Sequence, residues 1–280
     1  VDMERRGYPL LVMHEYRMTS RSISTTTDYI NSANLDDLRD RCSISNDRMT
    51  LVPYATVVLK ELVRVFKPKD ITISAYGIRE GMLYEQMPAE LRERDPLIEA
   101  CRFAEAKDAR VRGFGKVVYN FIMPLFKTAG PEKRRLIKAA SLLHDVSWRA
   151  HPDFRANLCF ETATRSNLGG LKHWERVFLG VSLLHRYRNK REGSPYSDLF
   201  PLLSDTQIEQ AEILGKAMRI GAMLWVKDNK KRAALNWNET TRELVLELSQ
   251  KNADLFGEVC AARLGSLAST LNASSRLLLV

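Results

Sequence analysis

The chain of 280 residues carries a formal net charge of +9, and its 45% hydrophobic content is enough to bury the cores of about two domains. No apolar run approaches the ~18 residues of a membrane-spanning helix, and no secretory signal follows the charged first residues. The 4 cysteines are widely spaced without a CxxC pair, which argues against a zinc site or a disulfide framework and favours reduced thiols in the cytoplasm. The basic balance favours polyanionic ligands, unless it serves solubility alone. Clusters of basic residues occur at 133–135, 186–191 and 227–232.

Up to about Pro88 the sequence predicts strands mixed with helices, as in an α/β layer. Strands are predicted over 10–17 and 70–75, and one or two short helices over 25–42. Asn34 is a suitable first residue for the second of these helices, because its side chain can accept a hydrogen bond from the first helical N–H groups.

A longer helix is predicted over 49–66, and Pro68 stops it. Its apolar residues recur at i, i+3, i+4 and i+7, the spacing of a packed helix face. This face consists of Ala55, Val58, Leu59, Leu62 and Phe66. We therefore expect the helix to pack along it.

From about residue 95 the sequence predicts an almost entirely helical region. The preceding stretch 85–96 is charged, contains Pro88 and Pro96 and lacks an apolar stripe, so we place a domain boundary there. Helices are predicted over 96–107, 109–127, 131–146, 152–165, 171–187, 204–226 and 254–271. A β-hairpin is predicted within 235–249, where leucines alternate with other residues.

The segment 74–81, SAYGIREG, leaves the second predicted strand through glycines that bracket Arg79 and Glu80. Glycine permits backbone conformations that other residues resist, so such a turn can direct several N–H groups at one anion. Arg79 would contact a phosphate through its planar guanidinium, and Glu80 would orient Arg79 or face solvent. The alternative is a tight turn whose charges are merely solvated. Gly77, Arg79, Glu80 and Gly81 are therefore candidate phosphate-binding residues.

Segments along nearly the whole chain carry a family resemblance. They are ISAYGIREGMLY, YPLLVMHEY, NDRMTLVPYATVVLKEL, AASLLHDVSWRAHPDFRA, LLHRYR and LFGEVCAARLGSLASTL. The first is similar to the Ser-x-x-Gly-Leu-Arg-Glu-Gly-Leu-Leu signature of the exopolyphosphatase and guanosine pentaphosphate phosphohydrolase (Ppx/GppA) family, with Ile78 and Met82 as conservative variants. The third resembles a family helix that begins at an arginine, which makes Arg48 a candidate substrate contact. Thr50 and Ala55 depart from the family's Arg-x-Asp and later Gly on that helix.

The resemblance implies an α+β chain in two parts. Residues 1–90 would be the end of the second lobe of an actin/sugar-kinase-like (RNase H-like) α/β module, and residues 95–280 an all-α HD-like domain. We expect the chain to begin inside that lobe. The family's first phosphate loop, its catalytic glutamate and its Asp-x-Gly-Gly-Gly-Ser loop lie upstream of the matching region, and no comparable loop occurs in this sequence. The catalytic residues and the ligands of the family's Mg²⁺ are therefore expected upstream.

His144 and Asp145 resemble the His-Asp pair of HD phosphohydrolases, where an upstream His and a downstream Asp complete a metal site. By the apolar pattern the upstream position falls near Phe114, which cannot bind a metal, and the downstream position near Gly221. We expect no metal here, and we expect His144 and Asp145 to hydrogen-bond within a helical core. An HD metallohydrolase remains an alternative.

Basic side chains near two predicted helix ends are candidates for binding a chain of phosphates. They are Arg149, His151, Arg155, His185, Arg186 and Arg188. If the two helix ends meet, these residues would line one positive groove. The alternative is that they are solvated helix ends with ordinary carboxylate partners.

As a whole, the resemblance implies a cytoplasmic, homodimeric hydrolase. This enzyme would release terminal phosphate from inorganic polyphosphate or pppGpp by Mg²⁺-assisted attack of water. Neither a membrane nor a nucleic acid is an expected partner. As the C-terminal part of such an enzyme, this chain is expected to be inactive alone. The alternative is a non-catalytic polyanion-binding or regulatory module of the same fold. Polyphosphate and pppGpp are not separated, since both end in a phosphoanhydride.

Overall fold

The computed structural model describes residues 1–224 and 233–280, which fall into an N-terminal unit, Val1–Met87, and a helical unit, Pro88–Val280. Within these ranges the fold is rich in helices and has two small β-sheets, as expected for an α+β chain. Among the described residues no helix has the length and apolar character to cross a membrane. The basic cluster 227–232 and the last two residues of the predicted helix 204–226 lie outside the described residues.

The N-terminal unit is built from short helices around a two-stranded sheet. Its elements are α1 (Asp2–Arg5), β1 (Arg17–Thr19), α2 (Ser20–Ser32), α3 (Leu35–Cys42), α4 (Asn46–Met49), α5 (Val52–Phe66), β2 (Asp70–Thr72) and α6 (Ile78–Gln86). β1 and β2 are antiparallel. One core cluster forms where Ile30, Leu38 and Met49 bring α2, α3 and α4 together. Asn34 caps α3 as predicted, its Oδ1 accepting the N–H of Asp36 at 2.9 Å.

Both predicted strands of this unit are shorter than expected. The predicted strand 10–17 is wrong except for its last residue, because Glu15 has a φ of 67° and turns the chain before β1. The second strand ends at Thr72 rather than at residue 75, although the N–H of Ile73 still donates to the carbonyl of Tyr16 at 2.8 Å. The predicted helix 49–66 is confirmed from Val52, and Lys67 and Pro68 end it.

The face of α5 that was expected to be packed is largely exposed. Val58, Leu62 and Phe66 are all exposed, and the side chain of Phe66 is 74% accessible. α5 instead packs on α2 through a neighbouring side, where buried Thr56 donates to Asn31 Oδ1 at 3.1 Å. The prediction was therefore wrong about which face of α5 is packed.

The helical unit has α12 at its centre. Its elements are α7 (Ala89–Arg92), α8 (Pro96–Asp108), α9 (Phe114–Ile122), α10 (Pro131–Leu143), α11 (Arg155–Arg165), α12 (His173–Tyr187), α13 (Asp205–Leu224), β3 (Ala233–Asn238), β4 (Glu243–Leu248), α14 (Glu258–Thr270) and β5 (Ser274–Leu279). Short 3₁₀ helices span Met123–Phe126, Pro152–Phe154, Ser197–Leu202 and Gln250–Leu255. α12 packs against α10, α11 and α13, and nearly all of its residues are buried.

A three-stranded sheet corrects the expectation of an all-α second domain. The predicted hairpin is confirmed, since β3 and β4 pair antiparallel with Leu235 opposite Leu246. β5 was not predicted; it pairs parallel with β4, with Leu277 opposite Leu246. α14 supplies the crossover that a parallel pair needs.

Candidate phosphate-binding site

The segment SAYGIREG forms the start of α6 and not a glycine-bracketed turn. Gly77 is the residue before the helix, with φ −116° and ψ −161°, an extended conformation that any residue adopts. Gly81 lies inside α6, where an added Cβ would meet nothing within 4 Å. The prediction that these glycines supply unusual backbone angles is therefore wrong. The N–H groups that point outward belong instead to the N-terminus of a helix.

Glu80 caps this helix with its own side chain. Its carboxylate accepts the N–H of Gly77 at 2.7 Å, and this hydrogen bond lowers the pKa of the Glu80 carboxyl. Glu80 is exposed, which agrees with the predicted solvent-facing role, and its capping of the helix was not predicted. An anion arriving at the N-terminus of α6 would therefore meet a negative charge that already occupies one of the N–H donors.

Arg79 and Arg48 are both exposed in the N-terminal unit. Arg79 lies in the first turn of α6, and Arg48 lies in α4. In the part of the chain that the structure describes, no hydrogen bond or ion pair joins Arg48 to the 74–81 segment. Arg79 therefore lies at the N-terminus of α6. The role of Arg48 as a phosphate contact stays a prediction.

His14 lies against this segment and was missed in the sequence. Its Nδ1 accepts the N–H of Ala75 at 3.2 Å, and its ring lies 4.9 Å from the ring of Tyr76. The signal was present in YPLLVMHEY, but the wrong strand prediction concealed the turn that directs His14 here.

The predicted row of basic side chains in the helical unit does not form as one exposed groove. His185 and Arg186 lie on α12 and are buried, so the prediction of an exposed position was wrong for both, because that helix is covered on all sides. Arg149 is exposed, and its guanidinium lies over the Trp148 ring at 5.0 Å.

The other members of that row have local partners. His151 is exposed and accepts the N–H of Asp153 at 3.4 Å. Arg155 donates to the carbonyl of Ala150 at 3.0 Å, and Arg188 is half-buried after the end of α12. Phosphate binding by Arg149, His151, Arg155 and Arg188 stays a prediction.

His144 and Asp145 are both buried and hydrogen-bonded inside the helical unit. Asp145 accepts two hydrogen bonds from the Arg110 guanidinium, at 2.8 Å to Oδ2 and 2.5 Å to Oδ1. Burial raises the pKa of Asp145, but these bonds outweigh it and the net pKa is lowered. Arg110 was not singled out in the sequence, where nothing marks it among the many arginines.

His144 faces a core environment and not a set of metal ligands. Its Nδ1 lies 2.7 Å from the carbonyl of Ser141, and Phe114 lies 5.3 Å away ring to ring. Burial, followed by the positive charge of Arg186, lowers the pKa of His144 to about 4, so the ring is neutral near pH 7. Gly221 lies buried in α13 and brings no side chain.

Two family models match this chain, in the order of its two units. The model of the Ppx/GppA phosphatase family matches residues 1–90, and the model of the exopolyphosphatase C-terminal region matches residues 121–279. Among curated proteins, Retrograde regulation protein 2 of Saccharomyces cerevisiae is 22% identical over 205 residues, which cover 66% of this chain and 32% of that protein. The chain therefore spans about a third of the length of this relative. Because the C-terminal model alone covers more than half of its residues, the chain belongs to the Ppx/GppA exopolyphosphatase family.

Proposed function

We propose that this chain is the substrate-binding C-terminal part of a hydrolase that releases terminal phosphate from inorganic polyphosphate or pppGpp. The observation that carries the proposal is the exposed N-terminus of α6, which lies in the segment matched by the Ppx/GppA model. The first N–H groups of a helix have no partner within it and attract anions, and Arg79 adds a charged planar donor. Together they suit a terminal phosphoryl group.

The remaining assignments are part of the same proposal. Residues 1–90 would complete an actin-like lobe, and residues 95–280 would be an HD-like domain that contributes to a homodimer. The free cysteines, Cys42, Cys101, Cys159 and Cys260, support a cytoplasmic location.

The chemical step needs an activated water, and we assign that role to no residue of this chain. In residues 1–224 and 233–280 no group of three or more His, Cys, Asp or Glu side chains is placed to hold a metal ion. The described residues therefore do not fit the Mg²⁺ that the family implies. Arg79 and the helix N-terminus would neutralise charge on the phosphoryl oxygens, which is one part of the catalysis.

A regulatory module is the second candidate. The observation that favours it is the name of the relative, Retrograde regulation protein 2, which is 22% identical to this chain over 205 residues. In that case the fold and the anion site would serve to sense a polyanion, and hydrolysis would be absent even in a longer protein.

The deciding experiment measures phosphate release from long-chain polyphosphate and from pppGpp, with Mg²⁺, by this chain and by a version extended upstream through the family's phosphate loops. We expect the short chain to bind polyphosphate without releasing phosphate, and the extended version to release it. Binding without release in both versions would support the regulatory module. Release by the short chain would overturn the assignment of catalysis to residues upstream.

Replacing Glu80 with glutamine is expected to tighten tripolyphosphate binding about fivefold at low salt. The glutamine oxygen still accepts the N–H of Gly77, so α6 keeps its cap, while a negative charge beside the bound anion is removed. Isothermal titration calorimetry on the whole chain measures the change. Arg79→Gln is expected to weaken binding by a similar factor.

The matched control is Glu85→Gln, which makes the same charge change in the last turn of α6. It is expected to change affinity less than twofold, because the effect of a helix terminus falls off within one turn. Equal effects of Glu80→Gln and Glu85→Gln would show that net charge alone is responsible and would remove the start of α6 as the site.

A further inference from the structure

A β-bulge lies directly before β1, opposite the chain that continues β2 toward α6. The N–H of Glu15 donates to the carbonyl of Ile73 at 2.8 Å, and the N–H of Ile73 donates to the carbonyl of Tyr16 at 2.8 Å. Two residues, Glu15 and Tyr16, therefore pair with the single residue Ile73, which defines a bulge. Glu15 has a φ of 67°, the left-handed conformation of the first residue in one class of bulge.

The conformation of Glu15 is unfavourable for a residue with a side chain, and glycine is the usual residue in that position. Such strain persists where the surrounding structure maintains it, and it occurs often at functional sites. β-bulges also redirect side chains next to such sites. The side chain that this bulge redirects is that of His14, the residue before Glu15.

His14 supplies a side-chain acceptor where a regular ladder would supply a main-chain one. Continuing the register of β1 and β2, in which Arg17 lies opposite Thr72, places residue 14 opposite residue 75. In such a ladder the N–H of Ala75 would donate to the carbonyl of residue 14. It donates instead to His14 Nδ1 at 3.2 Å, and the His14 ring contacts the Tyr76 ring edge to face, with centroids 4.9 Å apart.

Side chains accept the N–H groups of all three residues, 75–77, that directly precede α6. Ser74 Oγ and the Glu80 carboxylate accept the second and the third of these N–H groups, at 3.0 Å and 2.7 Å. Both acceptors lie within three residues of their donors, so they shape the segment only locally. His14 accepts the first N–H from 61 positions away along the chain, so it is the acceptor of these three that ties the segment to the end of the β1–β2 sheet.

We propose that His14 is a positioning residue for the phosphoryl group bound at the start of α6. Holding the N–H of Ala75 fixes the direction in which α6 begins, and with it the first helical N–H groups and the Arg79 side chain that meet the anion. Small displacements of such donors weaken binding, because hydrogen bonds depend steeply on distance and angle. His14 thus acts within the site of the proposed function, on which this assignment rests.

Amide hydrogen exchange in the whole chain, followed by NMR, tests the contact without a ligand. Asparagine places its carbonyl oxygen close to the position of His14 Nδ1, whereas glutamine places it closer to that of Nε2. We expect the N–H of Ala75 to exchange about tenfold faster in His14→Gln than in wild type, and within about twofold of wild type in His14→Asn. Equal exchange in wild type and His14→Gln would overturn the proposal.

Isothermal titration calorimetry with sodium tripolyphosphate at low salt tests the consequence for binding. His14→Gln should bind about fivefold more weakly than wild type, and His14→Asn should bind within about twofold of it. A histidine that only fills space would not make the position of the acceptor atom matter. Equal affinities of His14→Gln and His14→Asn, whether high or low, would therefore refute the positioning role.

The bulge offers a second matched pair of variants. Glu15→Asn and Glu15→Val remove the same charge, but asparagine tolerates a positive φ and the β-branched valine resists it. Glu15→Val should therefore speed the exchange of the Ala75 N–H and weaken tripolyphosphate binding relative to Glu15→Asn. Equal behaviour of the two would show that the bulge does not direct His14 and would overturn that part of the proposal.

Arg79→Gln separates the role of His14 from the proposed function. Weaker tripolyphosphate binding in Arg79→Gln, together with wild-type binding in both His14 variants, would reject His14 alone and leave the α6 site in place. If the wild-type chain does not bind tripolyphosphate, the proposed function fails, and the positioning role of His14 fails with it.

Discussion

Replacing Arg110 with alanine is expected to lower the free energy of unfolding of the helical unit by about 2–3 kcal/mol. Asp145 has a side chain only 4% exposed and would be left as a buried carboxylate without its partner, a change that costs roughly 3–5 kcal/mol when both groups are fully buried. The Arg110 side chain is 38% exposed, so water already screens part of the ion pair. The expected loss of unfolding free energy therefore lies at or below the lower end of that range.

Tryptophan fluorescence during urea unfolding measures this loss in the right unit, because Trp148, Trp174, Trp225 and Trp237 all lie after residue 87. Arg102→Ala is the matched control. It breaks an exposed pair with Glu99 on α8 and should cost less than about 1 kcal/mol. A loss in Arg110→Ala no larger than in this control would mean that Asp145 finds another partner or protonates at little cost.

The same pair predicts a pH dependence. The pKa of Asp145 is lower in the folded protein than in the unfolded chain, so its contribution is complete above the unfolded value of about 3.9 and is lost as pH falls through the folded value. Arg110→Ala removes the guanidinium, while burial of Asp145 and the hydrogen bond from the backbone N–H of residue 110 at 3.3 Å remain, so the pKa of Asp145 should be higher than in the wild type. The variant should therefore be least stable relative to wild type near pH 7, and the difference should shrink toward pH 4.

The sequence predicted most of the longer helices because each depends on local features, although it missed α6. Asn34 caps α3, and Asp95 caps α8 with its Oδ1 accepting the N–H of Leu97 at 2.9 Å. These signals act within one turn and need no knowledge of the fold. The strand over 10–17 failed because the positive φ of Glu15 has no signature at the level of residue type, and β5 was missed because its stability comes from pairing with β4.

Which face of a helix is buried is a non-local property. The apolar residues of α5 cover more than one stripe, and periodicity selected Ala55, Val58 and Leu62, whereas packing on α2 buries Thr56. The same limitation explains the candidate sites. The spacing of Gly77 and Gly81 does not distinguish a helix N-terminus from a turn, and adjacency in LLHRYR did not show that His185 and Arg186 are buried.

Adding a methyl group at Gly215 is expected to be the most damaging small change in the helical unit. In a helix interior, glycine to alanine ordinarily stabilises by up to about 1 kcal/mol. At Gly215, however, the new Cβ would overlap the carbonyl of Ser182 and the Cβ of His185, so the backbones of α12 and α13 would have to separate. Overpacking of this kind costs roughly 1–3 kcal/mol, and backbone atoms cannot move aside as a side chain does.

The matched control for Gly215→Ala is Gly265→Ala on α14, where a Cβ would meet nothing within 4 Å. Urea unfolding should show a loss for the first variant and a gain for the second. If Gly215→Ala is as stable as Gly265→Ala, then α12 and α13 can move apart at little cost, and the close contact at Gly215 does not constrain their packing.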